Sequence, residues 1–453
     1  MEKTVLLTGS NGFLGSHIAD CLLRNGYEVR AMVRETSDLE WLKRKPVELV
    51  FASLDSGVSL RKAVEGVNAV IHNAGVVSID NRYHYYLHNT EGTRNLLEAV
   101  LEAAPSIERF VHVSSQAAGG PTRGTMPRSE EDRPDPITAY GHSKLLAEKH
   151  VRSFEDKLPV TIIRPPSIYG PRDQAWLPLF KLVSRGFLPL VGNHGGISMT
   201  HGMDVARQVR VQMEHEAAIG QLFHAAPFAP VTVEEFGREI SHAIGKPVMA
   251  IRIPDSLLRI LYPAVYPILK AIGVKPPFRK DKLADVFASN WTISGDKARD
   301  LLGFEGAFPL RSGVGQTVEW YRWKQWVLSP RDRLKKKGVN KTFEKMYDGK
   351  MRTVNPTCDL CGLVFEGEIK TRKHFENEEF VIVDCLICNV PMAVLKDHRA
   401  SFTDDEKQRL MTIFSEQFGG EMHPDFEQRR IPEHAHVHYR STPHALPWQR
   451  RPD

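Results

Sequence analysis

Short apolar runs alternate with segments of helical period along the first 115 residues. Residues 3–34 comprise an apolar run, a glycine-rich turn, an amphipathic segment and a second apolar run. The alternation continues with an apolar run over 68–75, a segment of helical period over 89–104 and another apolar run over 109–115. Such runs predict buried strands, and their alternation with helices predicts a doubly wound α/β domain with a parallel sheet.

The turn after the first predicted strand contains Gly9, Gly12 and Gly15. Without side chains, the backbone can turn sharply there and approach a pyrophosphate held at the start of the following helix. Because this turn joins the first strand to the first helix, a dinucleotide site is favoured over an ordinary turn. In parallel sheets ligands bind at the carboxyl ends of the strands, where Gly9, Asn73 and Ser115 are expected.

Tyr140 and Lys144 lie four residues apart on a predicted helix, so their side chains share one face. A free phenol has a pKa of about 10, and a neighbouring cation such as Lys144 would stabilise the phenolate. Ser115, expected at a strand end, can hydrogen-bond the substrate oxygen that exchanges its proton with Tyr140. The pattern predicts acid–base chemistry, although an exposed helix face would show the same spacing.

Residues 3–328 resemble the extended short-chain dehydrogenase/reductases, which have a Rossmann fold. The motifs that carry the resemblance are TGSNGFLG (8–15), HNAG (72–75), NTEGTRNLLEA (89–99), VSSQAAGG (113–120), YGHSK (140–144) and RPPSIYGP (164–171). The resemblance implies catalytic roles for Ser115, Tyr140 and Lys144, with Asn89 supporting the proton relay. It also implies a set of cofactor-binding residues, namely Gly9, Asn11, Gly12, Phe13, Leu14, Gly15, Arg34, Asn73, Ala74, Gly75, Tyr140 and Lys144.

The second predicted strand ends at Val33 and Arg34, where NAD-binding proteins place an acidic residue on the ribose 2′-hydroxyl. An arginine can pair with a 2′-phosphate, so NADP(H) is favoured over NAD(H). The alternative is that Arg34 only extends into solvent at a strand end.

The substrate is expected to be apolar or lipid-linked. Ile197 stands where nucleotide-sugar epimerases of the family carry an arginine, and several segments resemble dihydroflavonol reductases and 3β-hydroxysteroid dehydrogenases. These resemblances imply an oxidoreductase acting on a CH–OH or carbonyl group, with nucleotide-sugar epimerase or dehydratase as the alternative. Residues 174–310 are expected to form most of the substrate-binding part, where Trp176, Phe180 and Phe187 line a lid or belong to the core.

A second, smaller domain is predicted after a charged linker over 329–353. Two C-x-x-C pairs, separated by 23 residues, suit tetrahedral Zn²⁺ held by four thiolates, with redox dithiols as the alternative. The predicted ligands are Cys358, Cys361, Cys385 and Cys388. This α+β module is expected over 354–440, followed by a tail over 441–453.

Three histidines, His434, His436 and His438, alternate along the last predicted strand and therefore share one face. Through CDLCGLVFEGEI (358–369), VLKDHR (394–399) and HAHVH (434–438), residues 356–440 resemble the histidine-triad (HIT) family, whose middle histidine attacks an α-phosphate. The resemblance implies that His436 is the nucleophile and that a nucleotide binds this module. The further alternative is therefore a bifunctional enzyme with nucleotidyl hydrolase or transferase activity.

Length, charge and hydropathy narrow these expectations. A chain of 453 residues suggests two or three domains, and a net charge of +5 does not predict a nucleic-acid partner. No signal peptide is recognised, and the most apolar later stretch, 253–274, contains charged residues and three prolines, which argues against a transmembrane segment. We expect a cytoplasmic protein that binds a small-molecule substrate, with a homodimer as a further option.

Overall fold

The computed structural model describes most of the first 327 residues and several elements beyond them. The described residues are 3–43, 45–77, 81–191, 195–254, 256–257, 283–288, 290–327, 373–376, 380–384, 391–395, 402–418, 423–425 and 436–440. The chain divides into two compact units, Met1–Gly338 and Val339–Asp453. Each unit is described by itself below.

The described residues of the first unit contain eleven strands. In chain order they are β1 Thr4–Thr8, β2 Glu28–Val33, β3 Val47–Phe51, β4 Ala69–His72, β5 Arg109–Val113, β6 Val160–Arg164, β7 Ser167–Tyr169, β8 Phe187–Val191, β9 Met199–His201, β10 Leu222–His224 and β11 Met249–Ile253. Seven of them form one parallel sheet in the order β10-β6-β5-β4-β1-β2-β3. Two parallel pairs, β8 with β11 and β7 with β9, lie outside it.

The described helices of this unit follow the strands in alternation. They are α1 Phe13–Arg24, α2 Gly57–Val64, α3 Arg82–Tyr85, a π-helix Tyr86–Glu91, α4 Gly92–Ala103, α5 Gln116–Gly119, α6 Ala139–Arg152, α7 Leu177–Ser184, α8 Gly202–Glu214, a 3₁₀ turn Glu216–Ala218, α9 Val233–Ile244, α10 Leu283–Phe287, α11 Asp296–Leu302 and α12 Leu310–Trp323. The predicted doubly wound, Rossmann-like α/β architecture is confirmed.

Both faces of the seven-stranded sheet are covered because successive strand residues point to opposite sides. On one side Leu6 of β1 packs with Leu96 of α4. On the other side Val5 and Leu7 pack with Ile18 of α1. The buried sheet leaves only its strand ends available for ligands.

A third core lies among α7, α9, α12 and the small sheets. Phe180 is fully buried there with Phe236 and Tyr321, and Trp176 packs against the cluster. Phe180 is therefore a core residue, whereas Phe187 is 44% exposed.

Three predicted element boundaries are wrong. The helix predicted over 89–104 begins as α-helix only at Gly92, because a π-helix precedes it. The strand predicted over 68–75 ends at His72, and the one predicted over 109–115 ends at Val113. Ser115 therefore lies beyond β5 and is the N-cap of α5, where its hydroxyl accepts the N–H of Ala117 at 3.2 Å.

The described elements of the second unit form a five-stranded antiparallel sheet and one helix. The strands are β12 Lys373–Glu376, β13 Phe380–Asp384, β14 Pro391–Leu395, β15 His423–Asp425 and β16 His436–Arg440, in the order β12-β13-β14-β16-β15. Helix α13 spans Asp404–Phe418. A capping box stands at its start, where Thr403 and Glu406 exchange hydrogen bonds of 2.8 and 3.3 Å.

The four cysteines predicted to bind zinc, Cys358, Cys361, Cys385 and Cys388, lie outside the described residues. Within the described ranges, we find no cluster of three or more His, Cys, Asp or Glu side chains suited to a metal ion. The helices of these same ranges are all too short or too polar to cross a membrane. His436 begins strand β16, and His434 also lies outside the described residues.

Candidate active site

The loop between β1 and α1 is closed by contacts that only glycine permits. Gly9 has a left-handed φ of +65°, and the Gly12 N–H donates to its carbonyl at 3.2 Å. A Cβ added to Gly15 would lie 2.0 Å from the Gly9 oxygen. By contrast, a Cβ at Gly12 would meet only that oxygen, at 3.4 Å. The loop is tightly packed beneath α1 and open on the Gly12 side.

A second loop, which follows β4, packs against the glycine loop. The Asn73 side-chain amide donates to the Gly9 carbonyl at 3.2 Å, and the Ala74 N–H donates to Thr8 Oγ1 at 3.0 Å. A Cβ on Gly9 would approach the Ala74 backbone to 2.8 Å. The structure therefore brings the two predicted cofactor segments together at the carboxyl ends of β1 and β4.

These loops fit a dinucleotide. The first N–H groups of α1 have no acceptor within the helix and, with the helix dipole, favour an anion at the open side of Gly12. Arg34 follows β2 directly and is exposed, so its guanidinium is available at the same edge of the sheet. Asn11, another predicted contact, donates its side-chain amide to the Asp38 carbonyl at 3.1 Å.

Lys144 lies on α6 and is only 4% exposed. Its Nζ donates to the Val113 carbonyl at 2.7 Å, at the end of β5 and two residues before Ser115. Burial lowers the pKa of Lys144 to about 8, and the Glu148 carboxylate partly opposes that change. With a pKa of about 8, the Lys144 amine is mostly protonated at pH 7.

Helix α6 approaches the Ser115 segment closely beside Tyr140. A Cβ on Gly141 would lie 2.4 Å from the Ala117 carbonyl oxygen, so only glycine allows this approach. Tyr140 is partly buried, and the edge of the fully buried Tyr85 ring packs against it with 6.0 Å between ring centroids. The fold thus gathers Ser115, Tyr140 and Lys144 from α5 and α6 at one edge of the sheet.

Asn89 is 1% exposed and its side chain joins three segments. Its Oδ1 accepts the Val76 N–H at 2.8 Å, and its Nδ2 donates to the Val76 carbonyl at 3.1 Å and to Ser143 Oγ at 3.0 Å. Asn89 lies within the π-helix, and its amide bonds to Val76 in the loop after β4. Asn89 therefore acts as a structural clamp, and Ser143, which the sequence reasoning missed, is its partner on α6.

A buried ion pair lies beneath Lys144 and was also missed. Arg164 Nε and Nη2 donate to the two Glu148 oxygens at 2.8 and 2.6 Å, and both side chains are at most 3% exposed. Ser114 Oγ donates to the same carboxylate. Glu148 stands four residues after Lys144, which places it on the same helix face. The sequence around Glu148 gives no sign that Arg164, 16 residues further along, pairs with it.

The parallel sheet, the glycine loop and the buried Tyr–Lys helix define a dinucleotide-dependent enzyme of the α/β class. The chain matches the NAD dependent epimerase/dehydratase family over residues 5–185. It is 30% identical over 342 residues to uncharacterized protein y4nL of Sinorhizobium fredii, which covers 70% of this chain and 94% of that protein. The chain belongs to the NAD dependent epimerase/dehydratase family.

Relatives with assigned activities match the same part of the chain. A ceramide reductase of Caulobacter vibrioides is 28% identical, covering 71% of this chain and 96% of that protein. A 3-beta-hydroxysteroid dehydrogenase of Mycolicibacterium neoaurum is 25% identical, covering 70% and 91%. The predicted enzyme class, an NAD(P)-dependent oxidoreductase of the short-chain dehydrogenase/reductase type, is confirmed.

Solved structures share the fold of this part. UDP-glucose 4-epimerase of Thermotoga maritima superposes with a TM-score of 0.59 at 22% identity, covering 71% of this chain and 99% of that one. The dTDP-glucose 4,6-dehydratase of Streptomyces venezuelae, solved with NAD bound, has a TM-score of 0.57 at 22% identity, covering 71% and 98%.

Proposed function

We propose that the domain over residues 1–328 reduces or oxidises a carbonyl or hydroxyl group on a lipid-like molecule with NADP(H). The observation that carries the proposal is the buried Lys144, one helical turn from Tyr140 and fixed to the strand end that leads into Ser115. The cofactor, when bound, supplies or accepts the hydride. The glycine loop and residues 73–75 would hold it at the edge of the sheet.

The protein residues handle the proton. In the reductive direction Tyr140 gives its phenolic proton to the substrate oxygen as that oxygen gains charge, and Ser115 donates a hydrogen bond to the same oxygen. The Lys144 ammonium stabilises the phenolate that remains. Asn89 keeps its clamp on Val76 and Ser143 throughout, so its contribution is to position α6.

Two observations support a lipid-like substrate over a nucleotide sugar. The named relatives include a ceramide reductase and a 3-beta-hydroxysteroid dehydrogenase. Ile197, at the position expected to bear a diphosphate-binding arginine, is 9% exposed and hydrogen-bonds through its backbone to Val231 at 2.6 and 2.8 Å. This position therefore offers no charge to a nucleotide diphosphate.

The cofactor preference is proposed from Arg34. Its guanidinium at the end of β2 would pair with the 2′-phosphate of NADP(H), and no carboxylate of the family type precedes it on that strand end. Arg34→Ala is expected to weaken NADPH binding far more than NADH binding, as measured by quenching of nicotinamide fluorescence.

The test of the main proposal is a substrate panel. The full chain is assayed with NADPH and a 3-oxo-ceramide or a 3-oxosteroid, and separately with UDP-galactose for epimerisation. Reduction of a lipid ketone, with a loss of about 10²- to 10⁴-fold in Tyr140→Phe and unchanged NADPH affinity, is the expected result. Tyr83→Phe, at an exposed tyrosine of α3, is the control. Turnover of UDP-galactose alone would overturn the substrate assignment.

For the second unit we propose a zinc-binding HIT-like module over 354–440, joined by the linker 329–353 and followed by the tail 441–453. The support is the cysteine spacing together with the antiparallel pairing of β14 with the strand that contains His436. Metal analysis should find zinc in the wild type and in Cys21→Ser but not in Cys358→Ser. Loss of nucleotide hydrolysis in His436→Ala would favour the bifunctional alternative. A homodimer and a cytoplasmic location remain predictions.

A further inference from the structure

His72 is the last residue of β4 and is fully buried in the centre of the sheet. Both of its ring nitrogens have hydrogen-bond partners. Nδ1 lies 2.8 Å from Thr8 Oγ1 on the neighbouring strand β1, and Nε2 lies 3.0 Å from Thr93 Oγ1 on α4. The imidazole therefore bridges a strand that leads into the glycine loop and the helix that follows Asn89.

The neighbouring bonds fix the direction of each hydrogen bond. Thr8 Oγ1 accepts the Ala74 N–H at 3.0 Å, which leaves its own hydrogen for Nδ1. Thr93 Oγ1 donates to the Asn89 carbonyl at 2.6 Å, so it accepts from Nε2. A neutral imidazole with its hydrogen on Nε2 satisfies both partners, because Nδ1 then accepts the Thr8 hydroxyl hydrogen. Burial, which lowers the pKa of His72 to about 3, keeps it neutral.

Each end of this bridge reaches a different part of the candidate site. At the Nδ1 end, Thr8 holds Ala74 in the loop that packs on Gly9. At the Nε2 end, Thr93 holds the backbone of Asn89, whose side-chain amide bonds to Ser143. Ser143 Oγ in turn donates to the Tyr140 carbonyl at 2.8 Å. One chain of hydrogen bonds therefore runs from the cofactor loop to the Tyr140 helix.

We propose that His72 is a positioning residue that holds the cofactor loop through Nδ1 and the Tyr140 helix through Nε2. It touches neither cofactor nor substrate, and it acts through Thr8 and Thr93. The proposal rests on the proposed function in two respects, namely that Tyr140 carries out the proton transfer and that the glycine loop binds NADP(H). Its particular content is that the Nδ1 half of the imidazole affects NADPH affinity, whereas the Nε2 half affects kcat.

His112 provides a matched control within the same sheet. It pairs in register with His72 on the neighbouring strand β5, is also fully buried, and its ring centroid lies 5.4 Å from that of His72. Across the described part of the chain, neither of its ring nitrogens has a hydrogen-bond partner. Substitution of His112 therefore changes packing to a similar degree without breaking the bridge.

The experiment compares His72→Asn with His72→Gln, because each amide replaces one side of the ring. An asparagine amide can occupy the position of Nδ1 and still bond to Thr8, but it is too short to reach Thr93. A glutamine amide reaches toward Thr93 and loses Thr8. Affinity is measured with NADPH by fluorescence, and kcat is measured at saturating NADPH with the panel ketone that the wild type reduces.

We expect His72→Asn to bind NADPH within about twofold of wild type while kcat falls on the order of 10- to 100-fold, since small misplacements of a reacting group have such effects. His72→Gln should show the reverse, with weaker NADPH binding and kcat within a few-fold of wild type. Thr93→Val removes the hydroxyl that His72 Nε2 bonds to but keeps the histidine, so it should reproduce the kcat loss. Thr93→Ser keeps a hydroxyl and should retain the wild-type kcat. His112→Asn should change neither constant by more than a few-fold.

Equal losses of affinity and kcat in both His72 variants, or losses in His112→Asn as large, would overturn the proposal and leave His72 a packing residue. If His72→Asn fails to fold, the kcat values of Thr93→Val and Thr93→Ser test whether the Nε2 bond positions the Tyr140 helix. If the wild type reduces no ketone of the panel, the proposed function fails, whereas the NADPH affinities of the two His72 variants still test the Nδ1 half.

Discussion

The buried Lys144 is expected to lower the free energy of unfolding, although the proposed proton transfer by Tyr140 needs its ammonium group. The lysine is 4% exposed, and burial lowers its pKa from 10.5 to about 8. That difference corresponds to roughly 3 kcal/mol of unfavourable free energy at pH 7, where the ammonium is charged in both states. Replacement by methionine, which has a similar length, removes this cost. It also removes the bond to the Val113 carbonyl, a loss of about 1–3 kcal/mol.

Lys144→Met should therefore abolish turnover and still unfold at pH 7 with a free energy equal to that of wild type or about 1–2 kcal/mol higher. Between pH 8 and 10.5 the unfolded chain holds the Lys144 proton more often than the folded chain. The stability of wild type relative to the variant thus rises with pH in that window. Between pH 7 and pH 9.5 the difference should change by about 2 kcal/mol in favour of wild type.

The assay is urea unfolding of the cofactor-free chain, followed by tryptophan fluorescence. Six of the seven tryptophans precede residue 339, so the signal reports the first unit. Lys149→Met, at an exposed lysine of the same helix, is the control for loss of one positive charge. A difference between wild type and Lys144→Met that stays constant from pH 7 to pH 9.5 would refute the reasoning.

Two further predictions concern packing around the site. Gly15→Ala should lower stability and cofactor binding together, because its methyl group would overlap the Gly9 carbonyl. Gly12→Ala should fold normally and weaken only NADPH binding, as thermal unfolding and fluorescence titration will show. Arg164→Met should cost roughly 3–5 kcal/mol in urea unfolding, since it leaves the buried Glu148 carboxylate unpaired. The double variant with Glu148→Leu should regain most of that loss, and failure to do so would contradict the ion-pair reasoning.

Local sequence patterns determined the glycine loop and the Tyr140–Lys144 pair, because both depend on residues close together in the sequence. The glycine spacing predicts a tight loop because a Cβ at Gly15 cannot be accommodated, and the four-residue spacing of Tyr140 and Lys144 fixes their common helix face. Strand and helix alternation likewise determines a parallel sheet. Boundaries were less predictable. The π-helix contains Asn89, whose side chain bonds to Ser143, 54 residues further along the chain. The cap of α5 is a local bond from Ala117 to Ser115, which the apolar pattern does not record.

Tertiary structure alone decided the contacts between these segments. Parallel registers align Thr8 with His72 and His72 with His112, although they lie tens of residues apart in the sequence. Whether a buried imidazole is bonded on both sides or on neither depends on what the adjacent strand and helix place there. For this reason the sequence could name the candidate reacting groups, whereas only the folded chain shows which polar residues hold them in position.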